Sequence, residues 1–247
     1  MCKSFAEKQL LLVTGYRMDI ENQAEVITSA GTKRCPILDY PIGVARASGA
    51  LLKDTILVCG GGDANWNPVN NCYSSTGSQW VPHANLKTAR RLSSGIPLSD
   101  STMWIVGGVG PNHERLSSTE LVHLDKKVEE GPKLDQPLSS FCIITHQKKI
   151  YIMGGWTESG RTKNVHIYDQ EDVFLPPNNG PAMIHNRGGH SCTIFNSPGH
   201  ENRPVAVVAG GVDLVDNKSA ELWDFTQPNS KWIESKPFFD IFEKTCP

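Results

Sequence analysis

Chemistry in this chain would have to begin at a few residue clusters. His190 and Cys192 stand two residues apart, and an extended strand puts such a pair on one face. A zinc site needs three or four donors, and the strand supplies no others. Gly60-Gly-Gly62 would cradle a phosphate if Lys-Ser or Lys-Thr and a helix followed. Asp63-Ala-Asn-Trp66 follows instead. No Gly-x-Ser-x-Gly nucleophile elbow occurs. Ser75-Thr-Gly-Ser-Gln-Trp80 contains no Asp and does not repeat. Neither a catalytic set nor a metal or other cofactor is expected.

Charge and composition narrow the field further. The formal net charge is −2, so no basic field invites nucleic acid. No apolar run approaches the ~18 residues of a membrane helix, and membrane insertion is not expected. The N-terminus is polar, and no signal peptide is read there. This fits a cytoplasmic chain or the mature or incomplete form of a secreted one, and the extracellular setting is slightly favoured. The seven cysteines form no Cys-x-x-Cys, and the odd count leaves at least one unpaired. Cys59 ends one apolar run and Cys72 begins the next. Two readings fit this pair: a disulfide across neighbouring strands, or two small buried hydrophobes.

The elements that carry these residues are short strands ending in glycine. Ile150-Tyr-Ile-Met-Gly-Gly-Trp156 is the fullest copy. A run this brief, bounded by glycine, reads as a buried strand. Ile56-Leu-Val-Cys-Gly-Gly61, Met103-Trp-Ile-Val-Gly-Gly108 and Val205-Ala-Val-Val-Ala-Gly-Gly211 repeat it, and Leu10-Leu-Leu-Val-Thr-Gly15 is a weaker copy with Thr14 in place of a glycine. The last glycines fall at 15, 61, 108, 155 and 211, at intervals of 46, 47, 47 and 56 residues. A strand-type repeat of ~45–50 residues predicts an all-β propeller with one four-stranded blade per repeat. The polar turn Asn196–Arg203 accounts for the longer last interval.

The same order recurs several times. The glycine pair leads to a polar loop, a strand often ending in an aromatic residue plus Asp, a turn, and a third strand near a Trp such as Trp80 or Trp232. A strand rich in small residues then opens the next repeat. The expected opening strands begin at Arg46, Leu92, Ser139 and Gly189, and a fourth-strand segment is expected at Val173–Pro177.

On these residues the chain resembles kelch repeats over nearly its whole length. Cys-Gly-Gly-Gly with a following Asn-Asn-Cys-Tyr, and Gly-His-Ser-Cys before Val-Val-Ala-Gly-Gly, look like secreted invertebrate members. The resemblance implies a single propeller domain over 1–247, with repeats at about 10–45, 46–91, 92–138, 139–188 and 189–237 and a tail at 238–247. Five repeats are fewer than the family's usual six or seven, so an incomplete ring fits as well as a five-bladed one. Val128 and Phe174 stand where the family has Trp, and Phe238–Phe242 is the candidate strand for closing the ring.

Glycine permits positive φ and close backbone approach. Gly15, Gly60, Gly61, Gly107, Gly108, Gly154, Gly155, Gly210 and Gly211 therefore read as structural, and Trp80 and Trp232 as packing residues. The resemblance also implies that loops after the glycines and loops joining the repeats line one face. These loops hold Arg17, Trp66, Arg90, Arg91, Arg115, Trp156, Arg161 and Arg187. Arg and Trp favour binding hot spots, and Arg forks onto carboxylates. The expectation is a non-catalytic module that binds a protein or peptide partner of acidic character. Oligomeric state is left open. Alternatives are the recognition part of a cullin-RING ubiquitin-ligase adaptor without its BTB region, and a copper oxidase-like propeller enzyme.

Overall fold

A computed structural model describes residues 10–16, 20–28, 31–33, 39–77, 79–197, 202–211, 219–227 and 229–235. All of its regular elements are strands. The chain forms two compact units, Met1–Lys133 and Leu134–Pro247.

The first unit opens with an antiparallel sheet of β1 (Leu10–Tyr16), β2 (Ile20–Thr28) and β3 (Gly31–Lys33). The register of β1 on β2 shifts between Val13 and Gly15, where Thr14 interrupts the glycine pair. The strand then runs on to a Tyr16–Ile20 pairing. A loop is expected from Tyr16 to Asn22, and its described residues, Tyr16 and 20–22, are strand. Arg17 lies outside the described residues, as do Cys35 and Phe238–Phe242.

Two four-stranded sheets complete this unit. One holds β4 (Ser48–Leu52), β5 (Thr55–Cys59), β6 (Cys72–Ser75) and β7 (Trp80–Pro82). The other holds β8 (Ser94–Ser99), β9 (Thr102–Val106), β10 (Thr119–His123) and β11 (Val128–Glu130).

The second unit repeats the plan. Its first sheet runs β12 (Cys142–His146), β13 (Lys149–Met153), then a two-residue hairpin of β14 (Trp156–Thr157) and β15 (Gly160–Arg161), then β16 (Val165–Asp169) and β17 (Asn178–Asn179). Its second sheet holds β18 (Ser191–Ser197), β19 (Arg203–Ala209), β20 (Ala220–Trp223) and β21 (Ile233–Ser235). In every four-stranded sheet the strands pair antiparallel in chain order, leaving the hairpin aside.

In the four-stranded sheets the apolar runs that end in glycine are the second strands, and they supply the core. Leu57, Met103, Trp104, Ile105, Val106, Ile150, Ile152, Met153, Val205 and Val208 are all buried. Each such side chain contributes about 1.5–3 kcal/mol on burial. Leu52, Leu57, Met103, Ile105 and Val122 form one cluster of the first unit. Tyr151, Met153, Val165, Met183, Trp223 and Trp232 cluster in the second.

The glycine pair turns the chain where a side chain would collide. At Gly155, φ is +106°, and a Cβ would sit 2.8 Å from both the Ser139 carbonyl oxygen and the Phe141 Cβ. The opening strands start two or three residues later than expected. Arg46, Leu92, Ser140 and Gly189 occupy the same register and all have positive φ, at 60°, 59°, 51° and 70°. That conformation is a turn and not strand.

The fourth-strand expectation also shifts. Pro176 and Pro177 carry no amide for a ladder, so β17 forms only at Asn178–Asn179. Phe174 is 60% exposed, and the buried residue beside it is Val173. Trp80 packs edge-on against Tyr40 at 5.0 Å. Trp232 is buried and donates its indole N–H to the Pro181 carbonyl oxygen at 2.9 Å.

Cys59 and Cys72 face each other across β5 and β6 and are joined by a disulfide. A second disulfide joins Cys142 to Cys192, between the opening strands of the two sheets of the second unit. The His190–Cys192 pair weighed as ligands is therefore divided. The cysteine sulfur is bonded to Cys142, and the imidazole is buried apart from it.

Candidate functional site

Arg90 and Arg187 are not available to a partner. Each is about 1% exposed or less, and each grips the neighbouring sheet through the same network. Arg90 donates to the carbonyls of Gly107 at 2.8 Å and Ser118 at 2.9 Å, to the Ser118 hydroxyl at 3.2 Å and to Glu120 at 2.7 Å. Arg187 donates to the carbonyls of Gly210 at 2.8 Å and Ser219 at 3.1 Å, to the Ser219 hydroxyl at 2.7 Å and to Glu221 at 2.9 Å. Each glutamate also accepts two backbone amides, from Lys87 and Thr88 or from Ile184 and His185. Meanwhile the Arg90 and Arg187 carbonyls accept the amides of Gly61 and Gly155. Each arginine thus ties the glycine turn of its own sheet to that of the next. They are inter-sheet latches, and their burial excludes the binding role expected of them.

The remaining predicted residues gather in the loops after the glycine pairs. In the first unit Arg91 bridges to Val109, and Val109 bridges to Arg115. Directly opposed residues of antiparallel segments project to the same side, so the two arginines flank a small valine. The Asp63 carboxylate accepts the amides of Asn65 at 2.9 Å and Asn67 at 2.8 Å, fixing the turn that presents Trp66 at φ +63°. A Cβ on Gly62 would lie 3.1 Å from the Arg91 Cδ and 3.6 Å from the Trp66 ring, so ring and stem share the bare glycine. Arg46 lies over the Trp66 ring, its guanidinium 4.9 Å from the centroid.

Arg46 was missed because the opening strand was expected to begin with it. Its register match with the positive-φ residues Leu92, Ser140 and Gly189 is the signal that places it in a turn.

Among the described residues no carboxylate lies within ion-pair distance of Arg91. Burial, and then the like charge of Arg46, both disfavour its charged form and lower its pKa. Its Nε is buried without a hydrogen-bond partner. Glu114, the acid of the adjoining loop, is turned onto the Asn112 amide at 2.8 Å.

In the second unit the same three ladder positions hold Ser139, Trp156 and Arg161. Arg161 stacks on Trp156 at 5.2 Å. Thr157 closes the hairpin on the Gly160 carbonyl at 2.9 Å. A Cβ on Gly188 would fall 2.3 Å from the Trp156 Nε1, so the indole rests on a position only glycine can fill.

A family model described as the Kelch motif matches residues 137–172, the repeat that contains the fullest glycine-ended strand. No curated protein matches the chain by sequence. Among solved structures, one titled "Structure of YjhT" matches with a TM-score of 0.73 at 12% identity, covering 91% of this chain and 83% of that one. At that identity the likeness speaks for the fold alone. Kelch propellers are in general protein-interaction scaffolds. The chain thus carries a kelch motif at residues 137–172, and its recurring four-stranded sheets share the all-β propeller fold of that solved structure.

Proposed function

We propose that this protein is a non-catalytic interaction module that holds an acidic segment of a partner protein on its post-glycine loops. The observation that carries the reading is Arg91. It is a half-buried guanidinium with no carboxylate partner among the described residues, pressed by the like charge of Arg46. A partner's Asp or Glu between Arg91 and Arg115 would relieve both the desolvation and the repulsion. Trp66 beside it, and Trp156 with Arg161 in the second unit, supply rigid aromatic surface at low entropic cost. The two disulfides support an extracellular setting for this activity.

The test is selection of displayed peptides on the intact chain, followed by titration of the recovered sequences. Binders are expected to carry Asp or Glu. Replacing Arg91 and Arg115 by Ala should weaken them about 10–100-fold, the range of a hot-spot loss. Changing the peptide's Glu to Gln should cost a similar factor, and the two losses should not add. Binders without acids, or binders indifferent to the double substitution, would overturn the reading.

A further inference from the structure

The two disulfides differ in what they join. Cys59–Cys72 links neighbouring strands of one sheet, and both residues are fully buried. Cys142–Cys192 links edge strands of successive sheets, and both residues are partly exposed. It also lies where the Trp156 hairpin is framed. Ser139, three residues before Cys142, exchanges two backbone hydrogen bonds with Trp156, at 3.0 and 2.8 Å. Gly155 donates to the Arg187 carbonyl at 2.7 Å, and Arg187 donates to the Thr162 carbonyl at 3.1 Å. The Gly189 amide closes the frame on the Ser140 carbonyl at 2.8 Å.

That frame contains Gly188 and Gly189, where the first unit has Arg91 and Leu92 in the same register. Gly188 is required by the indole above it. The cost is a segment with more conformational freedom than any other pair of residues would have. In the first unit the corresponding junction holds with Ser48 and Gly95 at the positions of Cys142 and Cys192, without a covalent link. The disulfide stands at the junction that carries the glycine pair.

We infer that Cys142–Cys192 is a redox-sensitive clasp on the Trp156–Arg161 binding loop. A dithiol reductant breaks the Sγ–Sγ bond, delivers two electrons and two protons to give the thiols of Cys142 and Cys192, and leaves as its own cyclic disulfide. The glycine pair then gains freedom, the indole loses its seat on Gly188, and the loop's hold on a partner falls. The buried Cys59–Cys72 bond is kept from the same reductant by its lack of access. The partner role of the loop rests on the function proposed above. The clasp itself does not.

The experiment is mild treatment of the intact, folded chain with dithiothreitol, followed by thiol alkylation and peptide mapping, with hydrogen exchange measured on the same samples. Cys142 and Cys192 should be alkylated while Cys59 and Cys72 stay bonded. The Gly155, Trp156 and Gly189 amides should then exchange at least about tenfold faster, while amides of the first unit, such as Val109, are unchanged. The oxidised Cys142→Ala/Cys192→Ala variant should match the reduced wild type, and if it does not fold, the reduced wild type alone decides. Loss of both disulfides together, or unchanged exchange at those three amides after selective reduction, overturns the inference. Exchange needs no partner, so its outcome stands apart from the peptide titration that tests the function.

Discussion

The ladders Arg91–Val109–Arg115 and Ser139–Trp156–Arg161 occupy one register in the two units, yet they present opposite surfaces. The backbone is shared: each middle residue follows a glycine pair and hydrogen-bonds the segment that joins two repeats. The difference lies in the volume and charge of three side chains. With valine in the middle, two arginines stand on either side of a small residue, and among the described residues no carboxylate neutralises Arg91. With tryptophan there, the single arginine lies on the ring, where a cation–π contact gives about 0.5–1 kcal/mol and the serine opposite adds no charge. A repeated backbone thus sets where a partner is touched, and the ladder residues set which chemistry touches it.

The sharpest way to break the comparison is to cut the latch beneath either ladder. Arg90→Met leaves Glu120 buried and unpaired, and Arg187→Met does the same to Glu221. Loss of one partner of a buried pair costs about 3–5 kcal/mol, so either variant should show a much lower urea midpoint. Removing both partners, as in Arg90→Met/Glu120→Leu, should recover most of that loss, because two desolvated charges disappear together. If the single and double variants lose the same stability, the networks are not the latches described here.

Acid should separate the units next. His190 is buried in the second unit, and its pKa is pushed down to about 4, first by burial and then by the charge of Arg187. In the unfolded chain it titrates near 6.5. Between these values the unfolded chain binds a proton that the folded chain refuses, so stability falls as pH drops from about 6.5 to about 4. The whole effect approaches about 3 kcal/mol. The same register holds Ala47, Ser93 and Phe141 in the other repeats. His190→Phe should therefore fold and should flatten this limb of the pH–stability curve. An unchanged slope would show that the limb comes from other groups.

Charge reversal would sharpen the ladder comparison itself. Arg91→Glu should abolish binding of acidic peptides and should not unfold the chain, since that side chain satisfies no buried acid. Arg161→Glu should weaken them by only about 0.5–1 kcal/mol, the value of its contact with the Trp156 ring. Equal effects in the peptide titration would mean that the two ladders do not divide the work.

How much of this was legible in the sequence follows from range. The sheets were legible because a glycine-ended apolar strand recurring at intervals of 46, 47, 47 and 56 residues is a local signal repeated along the chain. Cys59–Cys72 was a candidate because both residues lie on adjacent strands of one sheet. Arg90 and Arg187 looked like any loop arginines, since the acids that bury them, Glu120 and Glu221, lie 30 and 34 residues further on. Arg46 was hidden by a positive φ that no residue type announces. Cys142–Cys192 was illegible for a subtler reason. The residue in register with Cys142 is Ser191, and Cys192 is one step off it. That single step turns its side chain to the other face of the pleat. A bond between successive sheets needs opposite faces, whereas matching repeats by sequence seeks identical ones.

The same offset sets the smallest prediction, which asks whether the clasp belongs to the fold or to one junction. In the first unit Ser48 and Gly95 hold these offset positions, and a Cβ on Gly95 would lie 3.3 Å from the Ser48 Cβ. Disulfides span about 3.5–4.5 Å between Cβ atoms, so the site is slightly tight, and the Met103 sulfur at 3.0 Å must also give way. Ser48→Cys/Gly95→Cys should therefore oxidise readily but gain under about 1 kcal/mol, at the low end for an engineered bridge. A non-reducing peptide map and a urea titration, each with and without reductant, would measure both. If the bridge fails to form, the junctions of the two units differ in more than their side chains. If it forms and gains several kcal/mol, the first junction needs covalent support as much as the second, and the glycine pair at 188–189 is not the reason the clasp exists.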